Sequence, residues 1–286
     1  MKAELVYQSL DKEFELHKLN EGEWDFSDLE EYITESFKET RMGLVLDNSE
    51  VIEKVYTAVF PSEQVLDQIL ASGERNILLF THHPLIWDTT TEGFPFRSIP
   101  VNYVRELKKK AISYYAIHVP LDRNGPYSTS MSLARALKIE IEREFFDYFG
   151  VIVGIIGRTK YTSLSDLSKH VENVVGHKLK IWKYGSAQIS NQMVAAVAGG
   201  GNYPEIAEEL VETEVRTYIT GVTRKNPSYE PSFRFHEICQ KHGINVIAAT
   251  HYSTEKFACI AVRKFFDSLG LPSEFIEDGP SFNDYE

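Results

Sequence analysis

The chain has 286 residues, 43% of them hydrophobic and 25% charged, with a formal net charge of -12 at pH 7. This is the composition of a folded globular protein with ample core material, which argues against a disordered chain, and its negative charge disfavours nucleic acid and anionic lipid as partners. Two cysteines, Cys239 and Cys259, are too few for a disulfide framework or a cysteine zinc site; with no leader-like pattern over residues 1–11 and no apolar run long enough for a bilayer, the expectation is a cytoplasmic protein with no membrane partner.

Residues 27–40 read as a helix capped by Ser27, after an acidic segment that looks solvated. Residues 51–60 are β-rich, Ser62 caps a helix through Ala71, and residues 76–81 form the next strand, which makes a β-α-β unit. A helix over 101–110 leads to an apolar strand over 112–117, with His118 and Asp122 just beyond it. A helix over 129–137, a strand over 151–157, a helix over 164–175 and a strand over 179–184 follow. Residues 193–198 form a strand that ends in Gly199-Gly200-Gly201-Asn202, then come a helix over 204–212 and a strand over 217–221. A helix over 233–242 stops at Gly243, a strand over 244–250 opens onto His251, and a final helix runs to Leu269. The alternation predicts an α/β fold: two intimately packed lobes, 1–128 and 129–286, with largely parallel sheets and helical crossovers.

Three of the strand ends gather metal-binding residue types. Thr81-His82-His83-Pro84 follows an apolar strand, and Pro84 breaks that strand so that neighbouring imidazoles need not face opposite ways. His118 and Asp122 stand at a second end, His251 and Glu255 at a third. Imidazole nitrogen and carboxylate oxygen are donors shared by Zn, Fe, Mn and Co, and about five or six of them suit two ions with room for water. His251 and Glu255 share a face if the helix already includes His251. Each group also has a plainer reading: a hydrogen-bonded histidine at a strand end for His82, His83 and His118, a turn residue for Asp122, and a helix-start acid for Glu255. Gly199 to Gly201 read either as a tight turn or as a phosphate-cradling loop before the helix at Pro204. Arg224 and Lys225 read as solvated charges or as anion-steering groups. His177 has no motif around it.

His-His-Pro after a strand, His118-Val119-Pro120-Leu121-Asp122 and His251-Tyr252-Ser253-Thr254-Glu255 stand in this order, and with them the chain resembles the Nif-three-like family, often labelled GTP cyclohydrolase 1 type 2 homologues. Gly43-Leu44-Val45, Gly199-Gly200-Gly201 and Thr220-Gly221 match further landmarks. The resemblance implies that His82, His83, Asp122, His251 and Glu255 ligate two divalent metal ions per chain (Zn, Fe or Mn), with Glu255 as the bridge and His118 beside them as a catalytic proton carrier or outer ligand. It also implies a homohexamer and hydrolysis of a small-molecule, nucleotide-like substrate, with a non-catalytic metal-binding regulatory protein as the alternative. Val119, Pro120 and Val222 stand where the family commonly carries polar or acidic groups, a departure that bears on the substrate pocket rather than on the ligands.

Overall fold

A computed structural model describes all residues except 20, 22–23, 91–94 and 228. In chain order the elements are α1 (Ala3–Glu13), α2 (Glu35–Thr40), β1 (Gly43–Leu46), β2 (Lys54–Ala58), α3 (Glu63–Ala71), β3 (Ile77–Thr81), β4 (Ile86–Trp87), β5 (Phe96–Arg97), α4 (Val101–Lys109), β6 (Ile112–Ala116), α5 (Val119–Asp122) and α6 (Thr129–Ala136). They continue with β7 (Glu140–Tyr148), β8 (Val151–Arg158), α7 (Leu164–Val175), β9 (Lys180–Trp182), β10 (Met193–Ala196), α8 (Pro204–Glu212), β11 (Thr217–Thr220), α9 (Glu230–His242), β12 (Asn245–Ala248), α10 (His251–Ala261), α11 (Arg263–Ser268) and β13 (Ser273–Phe275).

The chain divides into two compact units, Met1–Leu121 with Cys259–Asp278, and Asp122–Ala258 with Gly279–Glu286. The first is built on a five-stranded sheet in the order β1-β6-β3-β2-β13. β3 lies parallel to both β2 and β6, and β1 closes one edge antiparallel. Every residue of β3 and β6 is buried. A central parallel strand is covered on both faces, which is why these segments are nearly continuous apolar runs. Ser62 caps α3 by accepting from the Val65 amide, as its sequence position predicts.

The second unit carries a six-stranded sheet in the order β7-β8-β10-β11-β12-β9. β10, β11 and β12 run parallel, while β8 and β9 flank them antiparallel. The α/β class and the parallel cores agree with expectation; in the two main sheets the antiparallel strands lie at the flanks, and β4 and β5 form a separate antiparallel pair.

Some local expectations fail for identifiable reasons. Residues 27–40 are not one helix: a 3-10 turn at Ser27–Leu29 is followed by α2, whose N-cap is Thr34, accepting from the Phe37 amide. The Ser27 amide instead donates to Asp25 Oδ1 at 2.9 Å, a local turn that competes with helix entry. The flanking strand β7 escapes notice because it is mostly exposed and charge-rich (Glu140, Glu142, Arg143, Glu144), as suits a sheet edge. α1 and β13 likewise have no counterpart in the expected elements. The last helix breaks at Val262 into α10 and α11.

Candidate metal centre

β3 delivers its histidines from a fully buried position. Beyond Thr81 the His82 and His83 amides still donate to the Ala58 and Val59 carbonyls, at 3.2 and 2.9 Å, so the backbone stays tied to the end of β2. Thr81 Oγ1 donates to the His83 carbonyl at 2.6 Å and tightens the turn. Both imidazoles are buried, at 0% and 1% exposure. His82 Nδ1 lies 3.1 Å from the Ile117 carbonyl. A carbonyl only accepts, so Nδ1 carries the proton and Nε2 is the lone-pair nitrogen, the arrangement that prepares an imidazole for a metal. The His83 ring stacks on Phe60 at 4.7 Å, with Phe96 at 5.2 Å.

His118 follows β6, and its Nδ1 lies 3.2 Å from Glu21 Oε2. Glu21 is only 7% exposed; it also accepts from Trp24 Nε1 at 2.8 Å and from the Val119 amide. The carboxylate therefore assigns the Nδ1 proton of His118 and leaves Nε2 as its lone-pair nitrogen. His82, His83 and His118 each offer one nitrogen lying within 4.8 Å of the other two. Two buried imidazoles with a third, partly buried one beside them are a donor set for a divalent transition metal, so the residues fit the group that the sequence implies.

In the second unit, α10 begins at His251 directly after the end of β12. The helix does include His251, so Glu255 stands one turn along on the same face, and His251 Nε2 lies 3.1 Å from Glu255 Oε1 with both side chains buried. Asp122, at 8% exposure, accepts from Thr129 Oγ1 at 2.7 Å, which orients its carboxylate. Gly199 packs against this pair. A Cβ there would stand 2.0 Å from Glu255 Oε1 and 3.1 Å from His251 Nε2, and its φ of +74° is one that L side chains rarely adopt. Only glycine leaves the Glu255 carboxylate its place.

Of the two readings of the glycine loop, the turn is the one the hydrogen bonds favour. The Gly199 amide donates to Thr254 Oγ1 at 2.9 Å and the Gly201 amide to Thr220 Oγ1 at 3.2 Å, so both are spent inside the fold. Lys225 sits over the Trp182 ring at 5.6 Å and is exposed, as a solvated charge.

Two other groups of metal-binding type are core residues. Burial pushes the Cys239 thiol up to about 12, so it stays protonated. Burial lowers His236 to about 4, and its Nε2 donates to the Thr223 carbonyl at 2.7 Å, which marks a core hydrogen-bonding residue. His177, which has no motif around it, is tied to the site's helix: its Nε2 lies 2.8 Å from Ser253 Oγ, in the first turn of α10.

Two carboxylates that support the site were not singled out from sequence. Glu21 falls in the segment read as solvated, and Asp284, at 1% exposure, accepts from the His251 amide at 2.7 Å. Neither belongs to a motif, and only the folded chain brings each to a histidine far away in sequence. Among the described residues, no helix is long and apolar enough to cross a membrane.

A family model described as Duf34/NIF3 (NGG1p interacting factor 3) matches residues 30–277. A Deinococcus radiodurans protein named GTP cyclohydrolase 1 type 2 homolog is 28% identical over 238 residues, covering 82% of this chain and 83% of its own. A Pyrococcus horikoshii protein of the same name is 27% identical over 231 residues, covering 79% and 86%. Among solved structures, ybgI, a structural-genomics protein of unknown function, superposes with a TM-score of 0.76 at 20% identity over 98% of this chain and all of its own. TTHA1606 from Thermus thermophilus gives a TM-score of 0.70 at 23% identity, over 99% and 100%. At these identities the structural likeness concerns the fold alone.

Proposed function

The chain belongs to the Duf34/NIF3 family, and from that premise we propose that it is a metal-dependent hydrolase in which His82, His83, Asp122, His251 and Glu255 hold two divalent ions, with Glu255 shared between them. The observation that carries this reading is the pair of buried imidazoles of His82 and His83, each with a nitrogen within 4.8 Å of the other's and of one on the partly buried His118. Divalent Zn, Fe or Mn bound there would supply Lewis acidity and a water acidified toward neutral pH. The chain's own part is positioning and proton transfer. The Ile117 carbonyl holds the His82 ring in its tautomer, and Glu21 does the same for His118. His118 Nε2 accepts the proton of an attacking water or returns one to a leaving group, and the Glu21 carboxylate stabilises the imidazolium. Glu21 is a positioning residue in this scheme.

The substrate is a small molecule. The name borne by the relatives, GTP cyclohydrolase 1 type 2 homolog, supports a nucleotide-like compound as the first candidate, and a site of this kind does not itself name the substrate. The alternative, a non-catalytic metal-binding regulatory protein, is favoured by Val119, 1% exposed beside His118 where the family commonly carries a polar group. A turnover screen of nucleotides, phosphoesters and amides with defined metals separates the two: hydrolysis by the wild-type chain and none by Glu255→Ala supports the enzyme, and no turnover of any class by metal-loaded protein supports the alternative. Two buried free cysteines support a reducing, cytoplasmic setting. The family resemblance supports a homohexamer, which light scattering tests; a monomer at micromolar concentration would refute it.

Glu21→Gln probes the proton assignment. Glutamine has one accepting oxygen where the carboxylate has two, so the three donors from Val119, Trp24 and His118 cannot all be satisfied. Turnover is expected to fall by about tenfold, and the 15N shifts of His118 should report a mixed tautomer. An unchanged His118 tautomer would remove Glu21 from the account.

A further inference from the structure

We propose that Gly279–Glu286 is a clasp that sets the metal-binding helix α10, with Asp284 as the positioning residue that caps it from outside. The functional consequence rests on the metal-binding reading above. The first amides of a helix have no partner within it; the residue just before it usually meets the second or third, so the first needs another acceptor. Here that residue is Thr250, held at a φ of +63°. Its Oγ1 accepts from the Ser253 amide, the third of the helix, at 3.3 Å. The His251 amide is met instead by Asp284 Oδ2 at 2.7 Å, from 33 residues further along the chain. A carboxylate at a helix start is favoured by the helix dipole, and a charged acceptor makes the stronger bond.

A carboxylate at 1% exposure is costly to bury, so the segment that brings it must be well anchored. It is held at several points, all within one unit. The Asp284 carbonyl accepts from the Thr223 and Arg224 amides, each at 2.8 Å, in the loop after β11. Tyr285 Oη donates to the Lys178 carbonyl at 2.8 Å. Phe282 meets the His177 ring edge-on at 5.4 Å, and His177 Nε2 reaches Ser253 Oγ at 2.8 Å. The segment thus grips the first turn of α10 by two routes, through Asp284 to the His251 amide and through Phe282 and His177 to Ser253. His251 sits at the gripped end, and the orientation of that turn decides where its imidazole and, one turn on, the Glu255 carboxylate stand. The family match ends at residue 277, so this clasp lies outside the part of the chain that the family model describes.

Metal affinity of the full chain, measured by competition titration with Zn and with Co at a temperature where circular dichroism reports each variant folded, tests the clasp. Asp284→Ala is expected to weaken binding by about tenfold, the scale of a lost supporting contact. Asp284→Asn, which keeps an oxygen for the His251 amide, is expected to stay within about threefold of wild type, since Asn and Asp cap comparably. Wild-type affinity in Asp284→Ala, or a loss in Asp284→Asn as large as in Asp284→Ala, would overturn the proposal. Hydrogen exchange of the His251 amide reads the cap without metal: faster exchange in Asp284→Ala supports the clasp, and unchanged exchange refutes it. If the wild-type chain takes up no metal, the metal reading fails and the exchange result still decides the clasp.

Discussion

Gly199→Ala is expected to remove most metal binding while Gly200→Ala leaves it intact. The two positions are adjacent, but their surroundings differ. A Cβ at Gly199 would stand 2.0 Å from Glu255 Oε1, closer than any real contact, whereas one at Gly200 meets nothing within 4 Å. The Glu255 carboxylate is the far end of a flexible side chain, so the clash is relieved by moving it, and that displaces the proposed shared ligand together with its contact to His251. Backbone strain adds to the effect, because alanine at a φ of +74° costs about 1–2 kcal/mol. Metal content after reconstitution and the apo-protein melting temperature are the readouts. Gly199→Ala should lose most of its metal and melt lower, and Gly200→Ala should match wild type. Full metal loading in Gly199→Ala would mean that Glu255 does not need the position it holds in the fold.

Replacing His82 and His83 together by alanine is expected to cost more than any loss of a supporting contact, beyond the roughly 100-fold at the upper end of that range. The two rings are buried and supply two of the three nitrogens in the His82, His83 and His118 cluster. The proper comparison is His242→Ala, in the last turn of α9. His177 is unsuitable because it touches Ser253 in the first turn of α10. Equal losses in the double variant and in His242→Ala would show that the wrong histidines have been assigned.

Much of this was legible in the sequence where burial is two-sided or a cap is local. β3 and β6 are continuous apolar runs because both faces are covered, and Ser62 announces the start of α3. The His-His-Pro, His-x-x-Leu-Asp and His-x-x-x-Glu motifs were legible as strand-end clusters, and the helical placement of His251 resolves one ambiguity in favour of a shared face with Glu255. What stayed hidden depends on contacts distant along the chain. Glu21 looks like any solvated acid until Trp24, Val119 and His118 close around it. Asp284 lies in a segment with no periodicity, and nothing local distinguishes it from a surface aspartate. β7 is a sheet edge whose exposed charges hide its strand character. The glycine loop showed its conformational freedom but not its purpose, which is to leave room for the Glu255 carboxylate.

The central claim is that these histidines and carboxylates hold metal, and elemental analysis of the purified chain after separate reconstitution with Zn, Mn and Fe tests it most directly. About two ions per chain are expected with at least one of these metals, since five nitrogen and oxygen ligands exceed what a single open site needs. No retained metal under any of the three conditions would contradict it.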